Sequence, residues 1–129
     1  MQTIPMDSSF QIMAFVGTRD AGKARAFYGD KLGLRLLNED NFALEYDSNG
    51  TMLRVTRVPD LTPAKFTVLG WRVPDIVAAV KDLQTKGITF ERYEFAQDEL
   101  GIWTSPSGAR VAWFKDPDGN ILSLSQHVD

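Results

Sequence analysis

The feature that most constrains the fold of this chain is an internal repeat, in which the same order of strands and one helix occurs twice. Asp20 and Asp75 each follow an apolar strand and precede a helical pattern. Each is a candidate N-cap, since a carboxylate there accepts hydrogen bonds from free backbone N–H groups. Gly50 and Gly119 each precede the closing strand of their half. A repeat of this kind governs the fold before local detail does.

The repeat predicts an α+β fold of two βαβββ units, at residues 11–58 and 66–126. A linker at 59–65, which contains two prolines, joins them within a single domain spanning 1–129. Each unit alone would leave one face of a four-stranded sheet uncovered. We therefore expect cupped mixed sheets that enclose a cavity, with one helix per unit on the outer face.

Patterns of alternation and turn residues predict the individual elements. We expect one helix to run from Asp20 to Leu32-Gly33 and the other from Asp75 to Lys86-Gly87, because glycine ends helices at low cost. The predicted strands are Gln11–Gly17, Phe42–Tyr46, Thr51–Arg57, Phe66–Val73, Thr89–Phe95, Gly101–Thr104, Ala109–Phe114 and Asn120–Ser125.

Strand alternation also sorts the side chains onto two faces. Those expected to face the helices are Ile12, Ala14, Val16, Leu53, Val55, Leu69, Trp71, Val73, Leu122 and Leu124. Those expected to face the cavity are Met13, Phe15, Met52, Arg54, Val68, Gly70, Arg72, Ile121 and Ser123.

Charge and composition exclude several classes of function. The formal net charge is −3, and no Lys/Arg cluster of the kind that binds nucleic acid occurs. No apolar run approaches the length of a membrane helix, and residues 1–10 lack the pattern of a secretory signal. The absence of cysteine excludes disulfides and thiolate chemistry. We therefore expect a cytoplasmic protein without nucleic-acid or membrane partners.

Asp20, Phe27-Tyr28 and Leu32-Gly33 form a D-x6-FY-x3-LG pattern, and Trp113–Asn120 contains an F-x-DPDGN turn. These motifs resemble the V-x-D-x6-FY-x3-LG signature and closing turn of the vicinal oxygen chelate superfamily, which includes glyoxalase I, bleomycin-resistance proteins and extradiol dioxygenases. Trp71–Asp75 and Gly101–Gly108 extend the likeness over nearly the whole chain. The resemblance implies the same two-unit fold.

The resemblance also implies four strand positions at which many members hold a divalent metal with His and Glu. In this chain those positions are Met13, Arg54, Val68 and Ser123, and none is a competent ligand. The only histidine, His127, lies near the C-terminus. We therefore expect no metal and no cofactor, and metal-dependent glyoxalase or dioxygenase activity does not carry over.

Arg54, Trp103 and Trp113 are the principal candidates for ligand contact. Large rings stack on planar ligands, and a cation facing an apolar cavity must be paired or meet a ligand. Arg54 therefore either binds a ligand or pairs with an acid such as Glu45 or Glu91. The full set of expected ligand-binding residues is Met13, Phe15, Met52, Arg54, Val68, Trp103, Trp113 and Ser123.

The sequence leaves three hypotheses about function. The first is a metal-independent small-molecule binding protein that forms a homodimer. The second is a glyoxalase-like or dioxygenase-like lyase or oxidoreductase of unknown substrate with non-standard catalytic residues. Its base would be Glu45 or Glu91, since Ser123 has no neighbouring base to activate it. The third is a structural role. The acidic stretch Glu91–Leu100, with Tyr93 and Phe95, is either a solvated loop or part of the site.

Overall fold

The computed structural model describes residues 6–128, which form two four-stranded mixed sheets. The first unit contains β1 (Met13–Thr18), α1 (Ala21–Ala24, continuing as a π-helix over Arg25–Lys31), β2 (Arg35–Glu39), β3 (Ala43–Ser48) and β4 (Thr51–Arg57). The second unit contains β5 (Thr67–Arg72), α2 (Ile76–Thr85), β6 (Trp103–Thr104), β7 (Arg110–Lys115) and β8 (Ile121–Gln126).

The two sheets have the same topology. Their strand orders are β1-β4-β3-β2 and β5-β8-β7-β6, in which the first pair of each is parallel and the others are antiparallel. The predicted α+β fold of two βαβββ units is confirmed. Within residues 6–128, no helix is long and apolar enough to cross a membrane.

The two helices begin where the sequence predicts. The Oδ1 atoms of Asp20 and Asp75 accept hydrogen bonds from the backbone N–H groups of Lys23 and Ala78, each at 3.1 Å. Both caps occupy extended backbone, as N-cap residues usually do. The first helix widens into a π-helix that buries Phe27 and Tyr28.

The helix-facing side of both sheets packs into one hydrophobic cluster that includes residues of both units. Its β-strand members include Val16, Leu53, Val55, Leu122 and Leu124, as alternation predicts. Ile12 is an exception, because it precedes β1 and is exposed.

The opposite side of the sheets, which we call the open face, is uncovered. Met13, Phe15 and Val68 are 41%, 59% and 38% exposed. Apolar side chains that a core would bury therefore reach solvent in the single chain.

The predicted strand at Thr89–Phe95 is wrong, since only Phe90 forms an isolated bridge, to Phe114. After Glu91 the chain leaves the sheet, because the side chain of Gln97 bonds the local backbone instead. Conversely, β2 was not predicted. It is an exposed edge strand with a register shift between Leu36 and Asn38, which disrupts the alternation that reveals a strand.

A group of buried polar side chains, which we call the buried clasp, joins the turn after β7 to the first unit. Asp116 accepts a hydrogen bond from the Tyr28 hydroxyl at 2.7 Å and from Asn120 Nδ2 at 2.8 Å. Asp118 accepts from the Thr18 hydroxyl at 2.6 Å and from the Arg19 backbone N–H at 2.8 Å. Burial and the nearby Asp116 carboxylate raise the pKa of Tyr28, which keeps its hydroxyl a donor. The motif Asp116–Asn120 therefore ties the units together.

Candidate ligand-binding site on the open face

An ion pair lies at the centre of the first sheet's open face. Arg54 Nη1 lies 2.7 Å from Glu45 Oε2, and both side chains are mostly buried. Asn38 Nδ2 donates a further hydrogen bond to Glu45, at 3.3 Å. Of the two acids named as possible partners of Arg54, Glu45 forms the pair. Glu91 instead lies 3.4 Å from the ammonium of Lys115.

The four positions expected from metal-binding relatives carry the side chains of Met13, Arg54, Val68 and Ser123. Met13 pairs with Met52 in the β-ladder, and Ser123 lies between Gly70 and Trp113 on neighbouring strands. None of the residues at the four positions supplies the imidazole or carboxylate that divalent cations prefer. Within residues 6–128, no three His, Cys, Asp or Glu side chains are placed to hold a metal ion.

Because Gly70 has no side chain, the hydroxyl of Ser123 fits beside it on the neighbouring strand. A Cβ atom on Gly70 would lie 2.6 Å from Ser123 Oγ, closer than real contacts allow. The strand β5 also shifts register between Thr67 and Leu69, so Thr67 lies opposite Ile121, and Val68 is the extra residue. A side chain at position 70 would therefore force the Ser123 hydroxyl to move.

Four aromatic rings on the second unit form a surface that we call the aromatic wall, made of Tyr93, Phe95, Trp103 and Trp113. Tyr93 and Phe95 stack with centroids 5.5 Å apart, and each meets Trp113 edge-on at 5.6 Å. Trp103 lies 6.2 Å from Trp113 and 5.8 Å from Phe95. Such offset and edge-to-face pairs are favourable beyond the burial of their area, so the rings hold one another in place.

The loop that carries Tyr93 and Phe95 is held by its own side chains. Gln97 accepts from the Tyr93 N–H at 2.7 Å and donates to the carbonyls of Glu91 and Gly101. Asp98 accepts from the N–H groups of Leu100 and Ile102, both at 2.9 Å. The loop is therefore mostly exposed but internally bonded.

A small pocket lies beside Trp113 at the edge of the aromatic wall. Its volume is about 220 Å³, and its lining includes Lys65, Phe66, Thr67, Phe95 and Trp113. Trp113 Nε1 donates to Thr67 Oγ1 at 3.2 Å, which fixes the plane of the indole. The pocket thus combines aromatic walls with one ammonium group.

The structure brings some predicted site residues together and separates others. Trp103 and Trp113 meet in the aromatic wall, whereas Phe15 and Arg54 lie on the other sheet. Sequence reasoning missed Thr67 and Phe66. The sequence signal for Tyr93 and Phe95 was that they are aromatic residues placed among acidic ones in the stretch Glu91–Leu100. His127 lies in the tail, where its Nε2 is 2.9 Å from Ser125 Oγ.

Comparison with known proteins agrees with this architecture. The family model for the Glyoxalase/Bleomycin resistance protein/Dioxygenase superfamily matches residues 11–124. No curated protein matches the chain.

Solved structures with the same fold are only distantly similar in sequence. A glyoxalase/bleomycin resistance protein/dioxygenase from Alicyclobacillus acidocaldarius is 18% identical with a TM-score of 0.71, over 95% of each chain. A glyoxalase/bleomycin resistance protein/dioxygenase from Nocardioides is 18% identical with a TM-score of 0.71, over 98% of this chain and 87% of its own. Lactoylglutathione lyase from Agrobacterium tumefaciens is 18% identical with a TM-score of 0.68, over 94% and 95%.

Proposed function

Because the chain belongs to the Glyoxalase/Bleomycin resistance protein/Dioxygenase superfamily, we propose that it binds a small, partly aromatic molecule on its open face without a metal ion. The observation that carries this proposal is the aromatic wall with its adjoining pocket. The identities of Met13, Arg54, Val68 and Ser123 support the metal-independent part, since their side chains do not fit a divalent cation.

The aromatic wall favours a planar ligand. Stacking or edge-on contact with an indole contributes about 0.5–1.5 kcal/mol beyond area burial. Lys65 at the pocket beside Trp113 favours a carboxylate or another acceptor on the ligand. Because Glu45 already balances the charge of Arg54, Arg54 would contribute hydrogen bonds to a carbonyl rather than a net positive charge.

We propose further that the working form is a homodimer. Met13, Phe15 and Val68 expose apolar surface on the open face, and contiguous exposed apolar surface marks sites of association. A second copy would cover this surface and would bring the first unit of one chain opposite the second unit of the other. The ligand would then lie between Arg54 of one protomer and the aromatic wall of its partner.

Tryptophan fluorescence tests the ligand site with 8-anilinonaphthalene-1-sulfonate, an aromatic anion, as the probe. We expect the probe to quench tryptophan emission, because it would lie within a few ångströms of Trp113. Trp113→Phe should remove most of this quenching. Tyr46→Phe is the control, because Tyr46 is fully buried away from the open face and does not line the pockets discussed here, and it should leave the quenching unchanged. Equal quenching in wild type and Trp113→Phe would rule out the aromatic wall as the binding surface.

Calorimetry on protein stripped of metal tests metal independence separately. We expect Mn²⁺, Ni²⁺ and Zn²⁺ to show no stoichiometric binding tighter than about 10 μM, about −6.8 kcal/mol, because the four strand positions lack imidazole and carboxylate groups. A tighter site with one ion per chain would contradict the metal-independent part of the proposal. Mass spectrometry of the protein purified from its host would then identify any molecule that it retains.

A further inference from the structure

A second pocket lies on the other side of the sheets, between α2 and the β3–β4 turn. We call it the helix-side pocket. Its volume is about 360 Å³, within the range of small-molecule sites. Its lining is mainly apolar and includes Leu34, Trp71, Val73, Ala79 and Leu83, with Ser48 at the turn. The site proposed above does not use it.

The internal repeat shows what fills the corresponding space in the other half of the molecule. There, the joint between the units is occupied by Phe27 and Tyr28 of the first helix. The Phe27 ring lies 6.2 Å from that of Phe114, and the Tyr28 hydroxyl donates to Asp116 at 2.7 Å. Tyr28 is fully buried. Two aromatic rings and one hydroxyl therefore occupy much of this joint, and a smaller pocket of about 260 Å³ remains beside Phe27 and Asp116.

The second helix carries smaller or polar side chains at the matching positions. Asp82 and Leu83 follow the N-cap Asp75 by the same number of residues as Phe27 and Tyr28 follow Asp20. Both line the helix-side pocket. This joint therefore lacks counterparts of the Phe27 and Tyr28 rings, and its pocket is the larger of the two.

The turn after β3 in the first unit corresponds to the turn after β7 in the second unit. Ser48 lies opposite Thr51 at the end of its hairpin, as Asp116 lies opposite Asn120, whose carbonyl accepts the Asp116 N–H. Ser48 thus holds the place of the carboxylate that receives the Tyr28 hydroxyl. Its Oγ atom accepts a hydrogen bond from Trp71 Nε1 at 2.9 Å, which positions it beside the pocket.

The second unit cannot form the hydrogen bonds that Thr18 and Arg19 form in the buried clasp, because the corresponding residues lack the donor groups. Thr18 and the N–H of Arg19 donate to Asp118 in the buried clasp. The residues that stand at the same distance before Asp75 are Val73, which has no hydroxyl, and Pro74, which has no N–H. The chain therefore cannot close this joint with a second clasp, and the space stays open.

We propose that the helix-side pocket binds an aromatic alcohol of one or two rings, in the place that Phe27 and Tyr28 take in the first joint. The rings would lie on the apolar side chains of Leu83 and Val73. The ligand hydroxyl would meet Ser48, whose oxygen has two lone pairs and a hydrogen to donate. This site is independent of the open face, because it lies on the helix-facing side.

Methyl-resolved NMR with 2-naphthol as the probe tests the proposal on the full chain. We expect saturable chemical-shift changes at the methyl groups of Val73, Ala79 and Leu83, with a dissociation constant below about 1 mM. Ala79→Leu fills the pocket with an apolar side chain and should weaken binding at least about tenfold. Ala78→Leu is the matched control, because Ala78 is the exposed neighbour on the same helix, and it should bind as wild type does.

Three outcomes would overturn the proposal. The first is no shift at Val73, Ala79 or Leu83 at millimolar probe. The second is equal affinity in Ala79→Leu and wild type. The third is a set of shifts confined to open-face residues such as Met13 and Met52. Unchanged 2-naphthol binding in Trp113→Phe would support two separate sites, and its loss would count against them.

Discussion

Replacing Asp116 by alanine is expected to lower the free energy of unfolding by about 3–5 kcal/mol, because several buried donors each lose their acceptor at about 1–3 kcal/mol. Its carboxylate accepts hydrogen bonds from the Tyr28 hydroxyl, from Asn120 Nδ2 and from the backbone N–H groups of Asp118 and Asn120. The variant would leave the Tyr28 hydroxyl and the two backbone N–H groups buried without this acceptor, whereas Asn120 Nδ2 would keep its bond to the Gly17 carbonyl. Urea denaturation followed by circular dichroism measures the loss.

Asp47→Ala is the matched control for this variant. Asp47 lies near the end of the hairpin in the first unit, where its side chain accepts from the Gly50 N–H at 3.1 Å and lies 3.8 Å from Arg35. Its removal should cost about 1 kcal/mol or less, since it is partly exposed. Equal losses for Asp47→Ala and Asp116→Ala would show that the buried clasp contributes nothing special to stability.

Two Tyr→Phe variants show how much a tyrosine hydroxyl, as distinct from its ring, contributes to the free energy of unfolding. Tyr28→Phe removes a donor to a carboxylate and should cost about 1.5–3 kcal/mol. Tyr46 is equally buried, but its hydroxyl has no hydrogen-bond partner within the described part of the chain. Tyr46→Phe should therefore be neutral or slightly stabilising, and a loss as large as that of Tyr28→Phe would contradict this account.

Phe15→Asp is expected to convert the proposed homodimer to a monomer, with an increase in the dimer dissociation constant of more than about 100-fold, or 2.7 kcal/mol. Phe15 is 59% exposed on the open face, so a carboxylate there is harmless in the single chain. In a dimer interface the same carboxylate would be desolvated without a partner. Sedimentation equilibrium across a concentration series measures the change.

Val128→Asp provides the control for charge and surface exposure. Val128 is 71% exposed and follows β8, so its substitution should leave the association state unchanged. Phe15→Asp should also lose the quenching by 8-anilinonaphthalene-1-sulfonate if the site needs both protomers. A wild-type chain that sediments as a monomer at every concentration would contradict the homodimer directly.

The sequence predicted the features that local chemistry determines. Asp20 and Asp75 could be identified because an N-cap depends on one side chain and the next few N–H groups. The burial of Leu53 and Val55 followed from strand alternation, which a regular ladder preserves. The pair of Arg54 with Glu45 could be named as one of two alternatives, because both residues were expected in neighbouring strands.

Features that depend on irregular backbone could not be predicted. The register shift beside Val68 brings Thr67 opposite Ile121, and no residue type signals that shift. The stretch at 89–95 alternates like a strand, but Gln97 bonds the backbone that a ladder would need. The stacking of Tyr93 and Phe95 against Trp113 follows from that loop, so the sequence showed the rings without showing where they meet.

The unequal joints have a mechanical consequence. At the joint closed by Asp116 and Asp118, a change in the angle between the two sheets would break the buried hydrogen bonds of the clasp. The joint beside Ser48 and Leu83 contains the larger pocket and the partly buried hydrogen bond from Trp71 to Ser48, so we expect strain between the halves to be relieved there first. We therefore expect the two units to move less at the first joint than at the second, although both joints derive from the same repeated plan.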